Sequence, residues 1–118
     1  MNDQRKILIA ATEGISIRCM GDVANAVGAT FGSDGLMLAE DDLSADFFDL
    51  KTGLAGELFQ KFENYKMRLI IIVSEPERYG ERFTELSREH RFHNSIRILP
   101  TRKDADSWLR DLEYDRIE

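Results

Sequence analysis

Apolar and polar positions change period along this chain, and each change marks an element. From Ser44 onward, Phe47, Leu50, Leu54, Leu58, Phe62 and Tyr65 recur every three or four residues, which puts them on one face of a helix. Ala55 and Phe59 widen that face to the breadth of a helix lying on a sheet. Lys51, Glu57, Gln60, Lys61, Glu63 and Asn64 fall on the other side. Glu57 precedes Lys61 by four residues, the acid-first order that favours an ion pair. Ser44 suits the N-cap of an opening turn through Phe47, and Asp49 or Thr52 suits the cap of a longer helix over residues 50–65. The period then vanishes. Residues 69–73 are unbroken aliphatics rich in β-branched side chains, as in a central parallel strand covered on both faces.

The remaining segments predict elements in the same way. Residues 6–11 (KILIAA) read as a first strand and 12–14 as a turn. Residues 15–19 alternate with period two, which predicts a half-buried strand closing an antiparallel hairpin with the first. Asp22 caps a helix over 23–31 with Val23, Ala26, Val27 and Phe31 facing inward. A turn over 32–35, a strand over 36–39 and the acidic loop Glu40-Asp41-Asp42 follow, and the acids suit the positive end of the next helix. Beyond Pro76, Tyr79, Phe83, Leu86 and His90 mark a helix, and residues 96–99 alternate as an edge strand. Thr101 with Asp104 resembles a capping box before a last helix faced by Ala105, Trp108, Leu109 and Leu112. The order is ββαβαβαβα. It predicts one α/β domain over residues 1–118, with a mostly parallel five-stranded sheet and an antiparallel edge strand.

Composition narrows the partners. A net charge of −6 argues against nonspecific nucleic-acid binding, which needs a basic footprint. The single Cys19 excludes an internal disulfide and fits a reducing compartment. The apolar run near the amino terminus is too short for a signal peptide, and no segment approaches the roughly 18 apolar residues of a membrane span. A cytoplasmic protein, free of membrane and nucleic acid, is expected.

The run FFDLKTGLAGELFQKFENYKMRLIIIV resembles the signature of the domain-of-unknown-function 4180 family of small bacterial proteins. SREHRFHNSIRIL and TRKDADSWL resemble that family's closing helix, strand and helix, while Ser74-Glu75 stands where the resemblance leads one to expect Gly-Asp. The element order is also similar to that of STAS domains, the anti-sigma-factor antagonists. Those open their second helix with Asp-Ser-Ser/Thr-Gly-Leu, and a partner kinase phosphorylates a hydroxyl there. Here Asp49-Leu50-Lys51-Thr52-Gly53-Leu54 matches in Thr52-Gly53-Leu54, with one extra residue after Asp49 and Lys51 in place of the second hydroxyl. This likeness implies a non-enzymatic regulatory module that binds another protein.

Candidate chemistry gathers at the same place. Gly53 and Gly56 each cost about 1 kcal/mol relative to alanine inside a helix, so the backbone there is expected to meet something closely. Phe48, Asp49, Lys51, Thr52, Gly53, Gly56 and Glu57 form the candidate partner-binding or regulatory surface, although Thr52 is more simply a cap. Phe47 and Phe48 cannot both face the same way on a helix. His90 and His93 are read as ordinary helix-end histidines, and the acids at 40, 41, 42, 46 and 49 as a solvated loop. Cys19 is expected to point into the core beside Ile15 and Ile17. The phosphate-binding glycine motifs are missing, so no cofactor and no metal are expected. A second reading, from a different class, is a small enzyme or ligand-binding protein with a cleft at the carboxyl ends of the strands, near Asp41, Asp42, Ser74 and Glu75. A deep pocket with a shifted carboxylate would favour it; a shallow surface with an exposed apolar patch would favour the interaction module. Homodimerisation through an edge strand or the Gly53–Gly56 face is a third reading.

Overall fold

The computed structural model describes residues 6–117. Residues 1–5, part of the segment read for a leader, lie outside the described residues. Strands β1 (Ile7–Ile9), β2 (Gly35–Ala39), β3 (Arg68–Ile72) and β4 (Ile96–Leu99) lie side by side in chain order, and every adjacent pair is parallel. A sheet built in this order by right-handed crossovers collects its connecting helices on one face. Those helices are α2 (Met20–Thr30), α4 (Leu54–Asn64) and α5 (Glu81–Glu89), with the single turns α1 (Ala10–Glu13) and α3 (Ala45–Phe48) between elements. The last helix, α6 (Arg102–Ile117), covers the other face.

Strand alternation divides the core accordingly. Leu8, Leu36, Leu38, Leu69, Ile71, Ile96 and Ile98 meet the connecting helices, whereas Met37, Ile70 and Leu99 meet Ala105 and Trp108 of α6. This two-sided burial is why β3 is apolar at both parities. At the start of β2, Gly35 pairs with Arg68. A Cβ there would stand 2.4 Å from the Arg68 carbonyl oxygen, so the close approach of β2 to β3 requires glycine.

The fold differs from the expected one at its amino end. The sheet has four strands, and the antiparallel edge hairpin is not formed. Ala10-Ala11-Thr12-Glu13 takes a helical turn straight after β1, and Gly14, at φ 71°, ends it with Ile15 N–H donating to Ala10 O. Alanines favour that turn over a hairpin connection. The alternation of residues 15–19 has a different cause: Ile17 is buried and bridges Leu43 in parallel, with its backbone bonded to Asp42 and Ser44. Cys19, expected inside, is exposed just before α2. Phe31 and Tyr65, both read as core, are also exposed, because each follows the last residue of its helix. The long helix is interrupted as well. Leu50–Thr52 is a 3-10 turn and Gly53, at φ 80°, resets the chain before α4 begins.

Candidate functional site

The predicted surface at the start of α4 is a tightly bonded junction. The Asp49 carboxylate accepts from the Lys51 N–H at 3.2 Å. The Thr52 hydroxyl lies 2.7 Å from Asp46 O and 2.9 Å from Asp49 O, and its one proton goes to that pair of carbonyls. Its oxygen accepts from Leu54 N–H at 3.2 Å, so Thr52 ties three segments of backbone together while remaining exposed. Phe48 does not belong to this surface. It is buried, stacked on Tyr79 at 3.7 Å between centroids and edge-on to Phe47 and Phe83. Lys51 and Gly56 are exposed, and a Cβ on Gly56 would meet nothing within 4 Å, so no part of the described chain packs there. Glu57 turns the other way, toward α2, where it pairs with Lys61 at 3.5 Å. The seven residues therefore divide between the core, the junction, a groove and, for Gly56, open surface.

A cavity of about 420 Å³ opens at the carboxyl ends of the strands, between Phe48, Leu50, Tyr79 and Arg82. At its edge Glu40, which follows β2, accepts a very short hydrogen bond from the Tyr79 hydroxyl and a long one, 3.4 Å, from Ser74 N–H. The bond to Glu40 raises the Tyr79 phenol above its ordinary value of 10.0, with burial and the Glu40 charge adding to the shift. Tyr79 is therefore a neutral donor there, not a base. Asp42 serves the turn, accepting from Ala39 N–H at 2.8 Å, and Arg18 donates to the Asp41 carbonyl at 2.9 Å. Ser74 and Glu75 are exposed.

The two histidines are occupied in the fold. His93 Nδ1 accepts from Ser95 and Ile96 N–H at 3.1 Å each, which leaves Nε2 as the protonated nitrogen, 3.3 Å from Glu63. His90 Nδ1 lies 2.9 Å from Leu86 O. Among the described residues, no three His, Cys, Asp or Glu side chains come together as a metal site would require.

The surface that sequence reasoning missed lies between α2 and α4. It is a groove of about 600 Å³, lined by Met20, Ala24, Gly28, Phe31 and Tyr65, with Glu57 and Lys61 along one wall. Met20, Phe31 and Tyr65 are 49%, 68% and 52% exposed, and only Phe92 elsewhere is comparably bare among the large described hydrophobics. The signal was in the composition of α2. Its exposed positions are Met20, Gly21, Ala24, Asn25, Gly28 and Ala29, with no charge among them, whereas α4 exposes Glu63 and α5 exposes Glu81, Arg82, Glu85, Arg88 and Glu89. Solvent-facing helix surfaces are ordinarily charged.

Among the described residues no helix is long and apolar enough to cross a membrane. No curated protein and no solved structure matches the chain. The family model for the domain of unknown function DUF4180 matches residues 2–109, a span that holds the sheet, α2, α4 and both candidate surfaces. The chain belongs to the DUF4180 family.

Proposed function

We propose that this protein is a non-enzymatic interaction module, regulatory in the manner of the anti-sigma-factor antagonists that its helix start resembles, and that its working surface is the α2–α4 groove. The exposed apolar groove is the single observation that carries the reading. Contiguous bare apolar surface of this kind marks association sites, and polar rims such as Glu57 and Lys61 frame them. Glu57 and Gly53, drawn from the predicted surface, border this groove: Met20 Cε lies 3.7 Å from where a Cβ on Gly53 would stand. The exposed thiol of Cys19 suits a reducing compartment, which fits action in the cytoplasm.

The second reading, a small-molecule site at the strand ends, is favoured by the Glu40–Tyr79 pair beside the 420 Å³ cavity, at the position where parallel sheets place their ligands. The two are separated by a photo-crosslinking amino acid introduced at Phe31 or, in a second variant, at Arg82, in living cells. The interaction module predicts discrete protein-sized adducts from position 31 and none from position 82. Adducts only from position 82, or a melting shift on adding a metabolite pool that Tyr79→Phe abolishes, would transfer the function to the strand ends.

A further inference from the structure

The α2–α4 groove is bounded differently at its two ends. Met20 touches the Gly53 end of α4, while Phe31 and Tyr65 meet at the other end, so the two helices run in the same direction. At the amino ends the groove is lined by Met20 and the small Ala24, and among the described residues no aromatic ring stands there. At the carboxyl ends Phe31 and Tyr65 stand up as an edge-to-face pair, 6.2 Å between centroids at 88°. Midway, Glu57 and Lys61 give the lining one acid and one base in a chain of net charge −6.

These features are self-complementary. A two-fold axis lying in the contact plane and crossing the helices at mid-groove brings the aromatic ridge of one copy onto the Met20–Ala24 end of the other. Phe31 and Tyr65 then meet Met20 and Ala24 of the partner subunit, a thioether-on-aromatic contact that sulfur favours. The same operation sets α4 antiparallel to its mate. Glu57 then faces Lys61 of the partner subunit, and Lys61 faces the partner's Glu57, because the pair straddles the centre. The electroneutral lining lets a like-charged acidic copy approach here. Gly28 adds room: it sits inside α2, and a Cβ on it would meet nothing within 4 Å. No described neighbour explains its small size, whereas a close helix from outside would.

We infer that the groove is a homodimer interface and that its occupant is a second copy of this chain, packed through α2 and α4 about a two-fold axis. This rests on the reading of the groove as the working surface. Two eleven-residue helices about 16 Å long, lying about 10 Å apart, offer on the order of 500 Å² per copy. That is at the small end of specific interfaces, so association is reversible, with a Kd on the order of tens of micromolar.

Sedimentation equilibrium of the whole chain tests this between about 5 and 500 µM. The chain is expected to pass from monomer to dimer in that range, and Phe31→Glu to weaken the dimer at least tenfold with an unchanged circular dichroism spectrum. Glu57→Lys and Lys61→Glu should each weaken it too, since each sets like charges face to face. Mixed in equal amounts, these two variants should regain association, because one brings two cations and the other two anions to the facing positions. A chain that stays monomeric throughout, a dimer indifferent to Phe31→Glu, or a mixture no tighter than its components would overturn the proposal. A monomeric chain that still crosslinks another protein from position 31 removes the second copy and leaves the groove as a docking surface.

Discussion

At the scale of the residue, a few side chains hold backbone that nothing else satisfies. His93 is one: its Nδ1 takes two N–H groups at the entry to β4. His93→Ala leaves both without that partner and should cost about 1–3 kcal/mol in urea unfolding. Thr52 is another. Thr52→Ala should cost about 1 kcal/mol, as loss of a cap does, while Thr52→Ser, which keeps the hydroxyl, should recover most of it. Gly35→Ala drives a methyl into the Arg68 carbonyl and should destabilise by about 1–3 kcal/mol. Tyr79 sets a pH dependence. Its phenol is raised in the fold, so the unfolded chain loses that proton first as pH climbs. The stability it contributes is full below 10.0 and falls as pH rises from there through the folded value. Phenolate absorbance should therefore show Tyr79 titrating later than a free tyrosine, and Glu40→Gln should bring it earlier. Local chemistry was readable in the sequence where bonding is local, as at Thr101, whose hydroxyl accepts from Asp104 N–H at 3.1 Å. The bonds from Glu40 to Tyr79 and from Arg68 to Asn94 were not, because they join segments that only the sheet brings together.

At the scale of the element, periodicity located α4 and α5, each with one well-defined buried face, while an unbroken aliphatic run located β3, which is covered on both faces. Periodicity misplaced the helix ends. Phe31 and Tyr65 keep the helical spacing but lie past the last helical residue, where no layer reaches them. Two-residue alternation at 15–19 predicts a strand, but of its three alternating positions only Ile17 is fully buried, and a single bridge to Leu43 accounts for it. The candidate surface was half legible. Glu57 was placed correctly on an outward face, but the groove needs α2 beside it, and helix adjacency is not written in either helix alone. The cover of the second sheet face is itself a single element. Trp108 of α6 packs with Ile70 and Leu99, and Arg97 lies 4.3 Å above its ring. Burial lowers the Arg97 pKa, with Arg68 acting the same way and Asp111 opposing. Trp108→Ala should cost about 3–5 kcal/mol. As the only tryptophan in the chain, Trp108 should also report undocking of α6 by a red shift in its emission.

At the scale of the whole molecule, the parallel sheet separates two kinds of surface. Its carboxyl edge gathers Glu40, Ser74 and Tyr79, and the outer side of its helical layer carries the groove. The α/β class followed from the alternation of strand and helix signals, while the all-parallel order had to await the turn at Ala10–Glu13 that replaces a hairpin. The central claim of this account is that the groove on the helical side takes a second copy of the chain. Amide chemical shifts followed on dilution from about 500 to about 10 µM test that claim most directly. The account predicts concentration-dependent shifts at Met20, Ala24, Gly28, Phe31, Glu57, Lys61 and Tyr65, with the strand ends unmoved. Shifts confined to Glu40, Ser74 and residues 79–82, or none at all, would contradict it.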